Sequence, residues 1–156
     1  MMGESVQVAT FHVGAEEYGV DISQIQEIIR MVDITRVPRT PDFMEGVINL
    51  RGQLIPIVDV RARFGMERLA PTKHTRIIVT GVGTKRVGIV VDSASEVLRI
   101  PIESIEEPPE MIAGVGADYL QGLGKVGDRL IILLDLTMVV SAPQSNEAES
   151  VALPTT

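Results

Sequence analysis

The chain has 156 residues, no cysteine and a net charge of −7 at neutral pH, with 45% hydrophobic but only 3% aromatic residues. That length suits one compact domain or two very small lobes, cored by Val, Ile, Leu and Met. The missing cysteine excludes disulfides, a thiol nucleophile and thiolate metal sites, and the acidic balance argues against sequence-independent nucleic-acid binding and against docking on anionic lipid.

The start, MMGESVQVATF, lacks the basic residues and long apolar stretch of a secretion signal. No apolar run approaches the roughly 20 residues that span a bilayer. A reducing cytoplasm is the compartment these features suit. Ser5 to Val13 alternates loosely and is rich in β formers, so it reads as a strand. Gly14-Ala15-Glu16-Glu17 is a turn into a return strand at Tyr18-Gly19-Val20. Ser23 to Arg30 reads as a short helical turn running into a strand. Two prolines in Val37-Pro38-Arg39-Thr40-Pro41 impose an irregular, extended connection.

The stretch from Gly46 to Val60 organises the rest. Its apolar residues read as two strands meeting at Arg51-Gly52-Gln53, where Gly52 can take the positive φ of a tight connection. Asp59 closes the second strand and can cap the helical turn of Arg61 to Phe64. Arg51 is a lone cation in an apolar hairpin, which on local pattern reads as a solvated turn residue. Met66 to Lys73 is a junction. Arg76 to Thr80 and Val87 to Val91 form the next hairpin, across Gly81 to Thr84. Glu103 to Glu110 is an acidic, proline-bearing linker, and Leu130 to Leu136 is the last strong strand. Residues 143–156 show no apolar periodicity and read as a disordered tail.

The chain repeats itself. Gly14 aligns with Gly83 and Gly19 with Gly88, both 69 apart, and at that offset Gln26-Glu27-Ile28-Ile29-Arg30 falls on Ser95-Glu96-Val97-Leu98-Arg99. Further on, Gly46 aligns with Gly122, Leu54 with Leu130, Ile55 with Ile131 and Asp59 with Asp135, all 76 apart. A copy of about 60 residues with five short strands is the size of a small β-barrel, which also removes exposed edges. The chain is therefore mainly β: two five-stranded barrels from an internal duplication, with short helices at the junction and near the C-terminus. The first spans about residues 5–69 and the second about 72–142, and the groove between them is a natural binding surface.

Tests for chemistry favour a binding module. Gly122-Leu123-Gly124-Lys125-Val126-Gly127 fits G-x-G-x-x-G, but it runs straight into a strand instead of opening a helix, so it is no dinucleotide loop. Gly81 to Lys85 is no phosphate loop, and no G-x-S-x-G is present. His12 and His74 are isolated and make poor metal ligands. Asp59, Asp92 and Asp135 each follow an apolar strand, where a capping role needs no active site. No catalytic residue, metal site or cofactor is expected. A small-molecule or enzymatic double barrel would need convergent polar groups in the groove, which the sequence does not supply.

Glu17-Tyr18-Gly19-Val20-Asp21-Ile22, Gln26-Glu27-Ile28, Gly46-Val47-Ile48-Asn49-Leu50-Arg51-Gly52 with Pro56-Ile57-Val58-Asp59, and Val87-Gly88-Ile89-Val90-Val91-Asp92 occur in this order. Over residues 5 to 140 the chain resembles CheW, the adaptor coupling bacterial chemoreceptors to the histidine kinase CheA. The resemblance implies a pair of SH3-like barrels, with strand exchange between them allowed for. It implies a cytoplasmic, non-enzymatic adaptor, recruited to membrane-associated receptor arrays, that binds the CheA regulatory domain and the helical tip of methyl-accepting chemoreceptors. Ile25, Glu27, Gly46 and Arg51 match positions implicated in receptor contact, and Asn49 belongs to the same block. Arg51 aligns with Gly127 in the second copy, so Asn49 to Gly52 is a first-copy speciality; a pair between Arg51 and Glu27 across the first barrel is expected to shape an apolar groove for a helix. No kinase-binding residues are assigned. A chain built to pair barrels with a homologous partner is also a candidate for weak pairing with itself. An accessory adaptor of a non-flagellar pathway is the alternative role.

Overall fold

β-Branched residues in alternation drive more than half of the described residues into strands. The computed structural model describes residues 4–112 and 115–141. β1 (Ser5–Val13) and β2 (Glu16–Asp21) form a hairpin, followed by a single 3-10 turn and β3 (Ile25–Arg30). An extended linker leads to β4 (Met44–Leu50), β5 (Gln53–Asp59) and helix α1 (Val60–Arg63). The second half holds β6 (Arg76–Val82), β7 (Lys85–Val91), β8 (Ser93–Pro101) and β9 (Ile105–Glu106). It continues through β10 (Met111–Ile112), β11 (Val115–Gly116), β12 (Leu120–Val126), β13 (Arg129–Leu134) and helix α2 (Leu136–Val140). The last strand is thus shorter than expected, because Asp135 accepts a hydrogen bond from the Thr137 N–H and turns Leu136 into a helix. The predicted tail lies outside the described residues.

The main sheets have the orders β8-β1-β2-β13-β12-β9 and β3-β6-β7-β5-β4. They do not divide the chain at residue 70. The β1–β2 hairpin leaves its own copy to pair with β8 and, in parallel, with β13; the β6–β7 hairpin pairs with β3 and, in parallel, with β5. Each copy donates its first hairpin to the other barrel. The copies therefore complete each other's hydrogen-bond ladders by strand exchange, the arrangement the resemblance allowed for.

Register shows the duplication pair by pair. Gly19 opposite Leu133 maps onto Gly88 opposite Ile57, and Ala9 opposite Val97 maps onto Ile78 opposite Ile28. The bulge between Met44 and Gly46 maps onto that between Leu120 and Gly122. Asp59 and Asp135, aligned by the repeat, cap α1 and α2. Asp92 departs from this pattern, because its strand runs on into β8 and not into a helix. Its carboxylate accepts instead from the Gly14 N–H at 2.8 Å and from Arg61 at 2.9 and 2.6 Å.

Among the described residues three apolar clusters hold the fold. Ile48, Ile55, Ile57, Ile77 and Val79 fill one barrel, and Val8, Ile100, Ile131 and Leu133 the other. The largest cluster lies between the sheets and includes Phe11, Tyr18, Val58, Ile78, Ile89, Ile132, Leu136 and Val139. Much of the expected inter-barrel groove is therefore packed shut. Phe11, Tyr18, Phe64 and Tyr119 run through this seam with successive ring centroids 5.9, 5.7 and 5.5 Å apart.

Candidate functional site at the rim of the first barrel

The β4–β5 hairpin turns in two residues, Arg51-Gly52, between the paired Leu50 and Gln53. Both central residues have positive φ, 52° and 87°, the signature of a type I′ turn. Asn49 Oδ1 accepts the Gly52 N–H at 2.9 Å and braces the turn. A left-handed conformation costs a residue with a Cβ about 1–2 kcal/mol. The aligned position in the second copy is Gly127, also left-handed at φ 60°, where that cost vanishes. The fold therefore holds an arginine where the second copy uses glycine.

Arg51 reaches the Glu27 carboxylate on β3. The pair bridges the two margins of its sheet, β3 and the β4–β5 hairpin. Arg51 is 67% exposed and Glu27 28%, so the cation faces solvent and the carboxylate sits behind it. Ile25 packs on the edge of the inter-barrel cluster, so Ile25, Glu27 and Arg51 run from the seam out to the rim. Asn49 is exposed beside them. Gly46 is different: it is buried, with φ 146°, and a Cβ there would stand 2.0 Å from the Thr35 carbonyl oxygen. Thr35 and Val47 exchange backbone hydrogen bonds of 2.9 and 2.8 Å, pinning the linker after β3 against β4. Gly46 thus shapes the rim through the backbone. Ile28, Val32 and Leu54, all exposed, supply apolar surface on the same barrel.

Three residues of this rim escaped sequence reasoning. Arg86 Nε donates to Gln26 Oε1 at 2.6 Å, and its Nη1 donates to Gln53. The repeat offsets point to them: Arg86 falls on Glu17 and Gln53 on Arg129. In the other barrel Arg129 binds both Glu17 and Glu96, the counterpart of Glu27. Burial pushes the Glu17 carboxyl up, but Arg129 and the Thr10 hydroxyl outweigh that and hold it below the ordinary range. The same backbone frame thus carries Glu27, Arg51 and Arg86 on one rim and Glu17, Glu96 and Arg129 on the other, a net charge of +1 against −1.

That inversion extends to whole barrels. Residues 25–91, which form the β3–β7 sheet, hold eleven Lys and Arg against six Asp and Glu, a net of +5. Residues 4–24 and 92–141 hold three against thirteen, a net of −10. The chain's net charge of −7 hides a basic barrel beside an acidic one.

The Asp and Glu side chains near α1 serve structure. Asp59 caps α1 through the Ala62 N–H at 3.3 Å, and burial raises its carboxyl. Asp92 is raised by burial but more than offset by Arg61 and the Gly14 N–H, and lies below its ordinary value. Among the described residues no group of three His, Asp or Glu is placed to hold a metal ion, and no helix is long and apolar enough to cross a membrane. The G-x-G-x-x-G stretch lies on β12 and its turn. The rim offers a fixed guanidinium, polar neighbours and apolar surface, a set suited to gripping another macromolecule.

The CheW-like domain family matches residues 7–144. The Chemotaxis protein CheW of Klebsiella aerogenes is 40% identical over 154 residues, covering 97% of this chain and 93% of that one. Protein FrzA of Myxococcus xanthus is 34% identical over 72% of this chain and 70% of its own. The crystal structure of the scaffolding protein TtCheW from Thermoanaerobacter tengcongensis superposes with a TM-score of 0.85 at 34% identity, covering 96% of this chain and 99% of that one.

Proposed function

This chain belongs to the CheW-like domain family, and from that membership we propose that it is a non-catalytic adaptor coupling methyl-accepting chemoreceptors to the histidine kinase CheA. The observation that carries the receptor half of this reading is Arg51, held left-handed over Glu27 where the second copy has Gly127. Ile25, Glu27, Asn49 and Arg51 form the receptor-facing surface, with Gly46 setting its backbone. A helical tip lies along the rim, its apolar face on Ile28 and Leu54 and an acidic group on Arg51. The net charge of +5 on this barrel favours an acidic partner and speeds its encounter. The second partner is the CheA regulatory domain, met by a barrel surface to which no residues are assigned. The protein acts in the cytoplasm and is recruited to receptor arrays. Weak self-association is part of the same reading. The similarity to FrzA supports a second role, as accessory adaptor of another chemosensory pathway.

Calorimetric titration with the regulatory domain of the CheA encoded nearest to this chain tests the adaptor reading. One-to-one saturable binding is the expected result. No heat at protein concentrations on the order of tens of micromolar, from protein shown folded by circular dichroism, overturns that pairing.

A further inference from the structure

The linker between β3 and β4 makes a second feature on the basic barrel, separate from the Arg51 rim. Val37 to Thr40 form a turn with Pro38 and Arg39 at its centre. Arg39 has φ 64°, as the second central residue of a type II turn does, and that position ordinarily takes glycine. The turn is stiff: Pro38 fixes its own φ and Thr40 Oγ1 donates to the Val37 carbonyl at 2.9 Å, while the next turn is closed by the Met44 N–H donating to the Pro41 carbonyl at 2.9 Å. Beneath it opens a cleft of about 600 Å³ lined by Arg36, Arg39, Arg68, Asp42 and Glu45 among others. Arg68 is spent on the Glu45 carboxylate and the Asp42 carbonyl. Arg36 and Arg39 have neither a carboxylate nor a hydrogen-bond partner among the described residues, unlike Arg51, Arg61, Arg63, Arg86 and Arg129.

We propose that this cleft binds the phosphate groups of a small ligand, with Arg36 and Arg39 as its unspent guanidinium donors. Three observations converge. The fold places Arg39 at a strained turn position where glycine would relax the backbone. Both guanidiniums are exposed with no carboxylate aimed at them, and their planar forks suit phosphate oxygens. The volume is that of a nucleotide-sized ligand site. The charged lining sums to +1, since Asp42 and Glu45 offset two of three arginines, so binding should weaken as salt rises.

The test is calorimetric titration of the full chain with inorganic pyrophosphate at low ionic strength, repeated on Arg36→Gln and Arg39→Gly. The wild type should show one saturable site. Either substitution should weaken it at least tenfold, while Arg39→Gly melts at the wild-type temperature or above because glycine relieves the turn. Arg51→Ala should bind pyrophosphate as the wild type does. No saturable heat, or equal affinity in both variants, overturns the proposal. Sedimentation with phosphatidylglycerol vesicles is the second arm: binding to vesicles without binding to pyrophosphate replaces the small ligand by a lipid headgroup and overturns the proposal as stated.

Discussion

At the scale of single residues, the rim depends on two backbone exceptions. Arg51 takes a left-handed φ despite its Cβ, and Gly46 takes one because no Cβ fits there. Gly46→Ala drives a methyl into the Thr35 carbonyl and breaks the Thr35–Val47 bridge, so urea unfolding should show a loss of about 2–4 kcal/mol. Asp92 tests the electrostatics. Its folded carboxyl lies below the ordinary value near 3.9, so its stabilisation is present above pH 4 and lost as pH falls through the folded value. Asp92→Asn should cost about 1–2 kcal/mol at pH 7. The gap to wild type should narrow as pH falls below the ordinary carboxylate range, as urea midpoints taken across pH would show. Asp59 has the opposite sign: burial raises its carboxyl, so its contribution fades as pH rises. Arg51 was conspicuous as the lone cation in an apolar hairpin, and the repeat promoted it by placing Gly127 opposite. Its own left-handed φ was not legible, because Arg-Gly is not the Asn-Gly that announces a type I′ turn.

At the scale of elements, hairpins and caps were the legible part. Period-two patterning and glycines at the turns locate β1–β2, β4–β5 and β6–β7, the apolar run at Leu130 locates β13, and Asp59 and Asp135 mark the helix starts. The role of Arg63 in joining α1 to α2 was not visible. Its guanidinium lies 4.1 Å from the Phe43 ring centroid and 5.1 Å from that of Tyr119. It donates to the carbonyls of Val139 at 2.9 Å, Met138 at 3.1 Å and Ser141. One side chain thus satisfies the C-terminal carbonyls of α2 from the other copy's helix. Its counterpart at offset 76 is Val139, so no symmetry argument could find it. Arg63→Ala should lower stability by about 2–4 kcal/mol, since it orphans half-buried carbonyls and removes two ring contacts. Arg63→Lys should recover only part of that, lacking the planar fork. Chemical denaturation of the two variants side by side decides it.

At the scale of the whole molecule, the exchange of hairpins and the separation of charge govern behaviour. The repeat revealed two copies but not which strands pair, because both contiguous and exchanged arrangements bury the same apolar faces. Exchange has a consequence for fragments. Residues 1–70 lack the β6–β7 hairpin that lies between β3 and β5, so alone they should show no cooperative unfolding by circular dichroism. Mixing them with residues 71–156 should restore it. A cooperatively folded 1–70 fragment would show that the copies close by themselves. The charge split, +5 on one barrel and −10 on the other, was present in the sequence but hidden until the strands were sorted into sheets. It puts the rim on the barrel that attracts acidic surfaces. The most direct measurement is the affinity of Arg51→Gly, beside wild type, for a soluble fragment of the chemoreceptor tip and for the CheA regulatory domain. An exposed ion pair contributes only about 0–1 kcal/mol, and glycine suits the turn, so melting should stay within about 3 °C of wild type. Receptor binding should fall at least tenfold while kinase binding holds. Receptor binding unchanged in a folded Arg51→Gly protein would contradict the assignment of this rim.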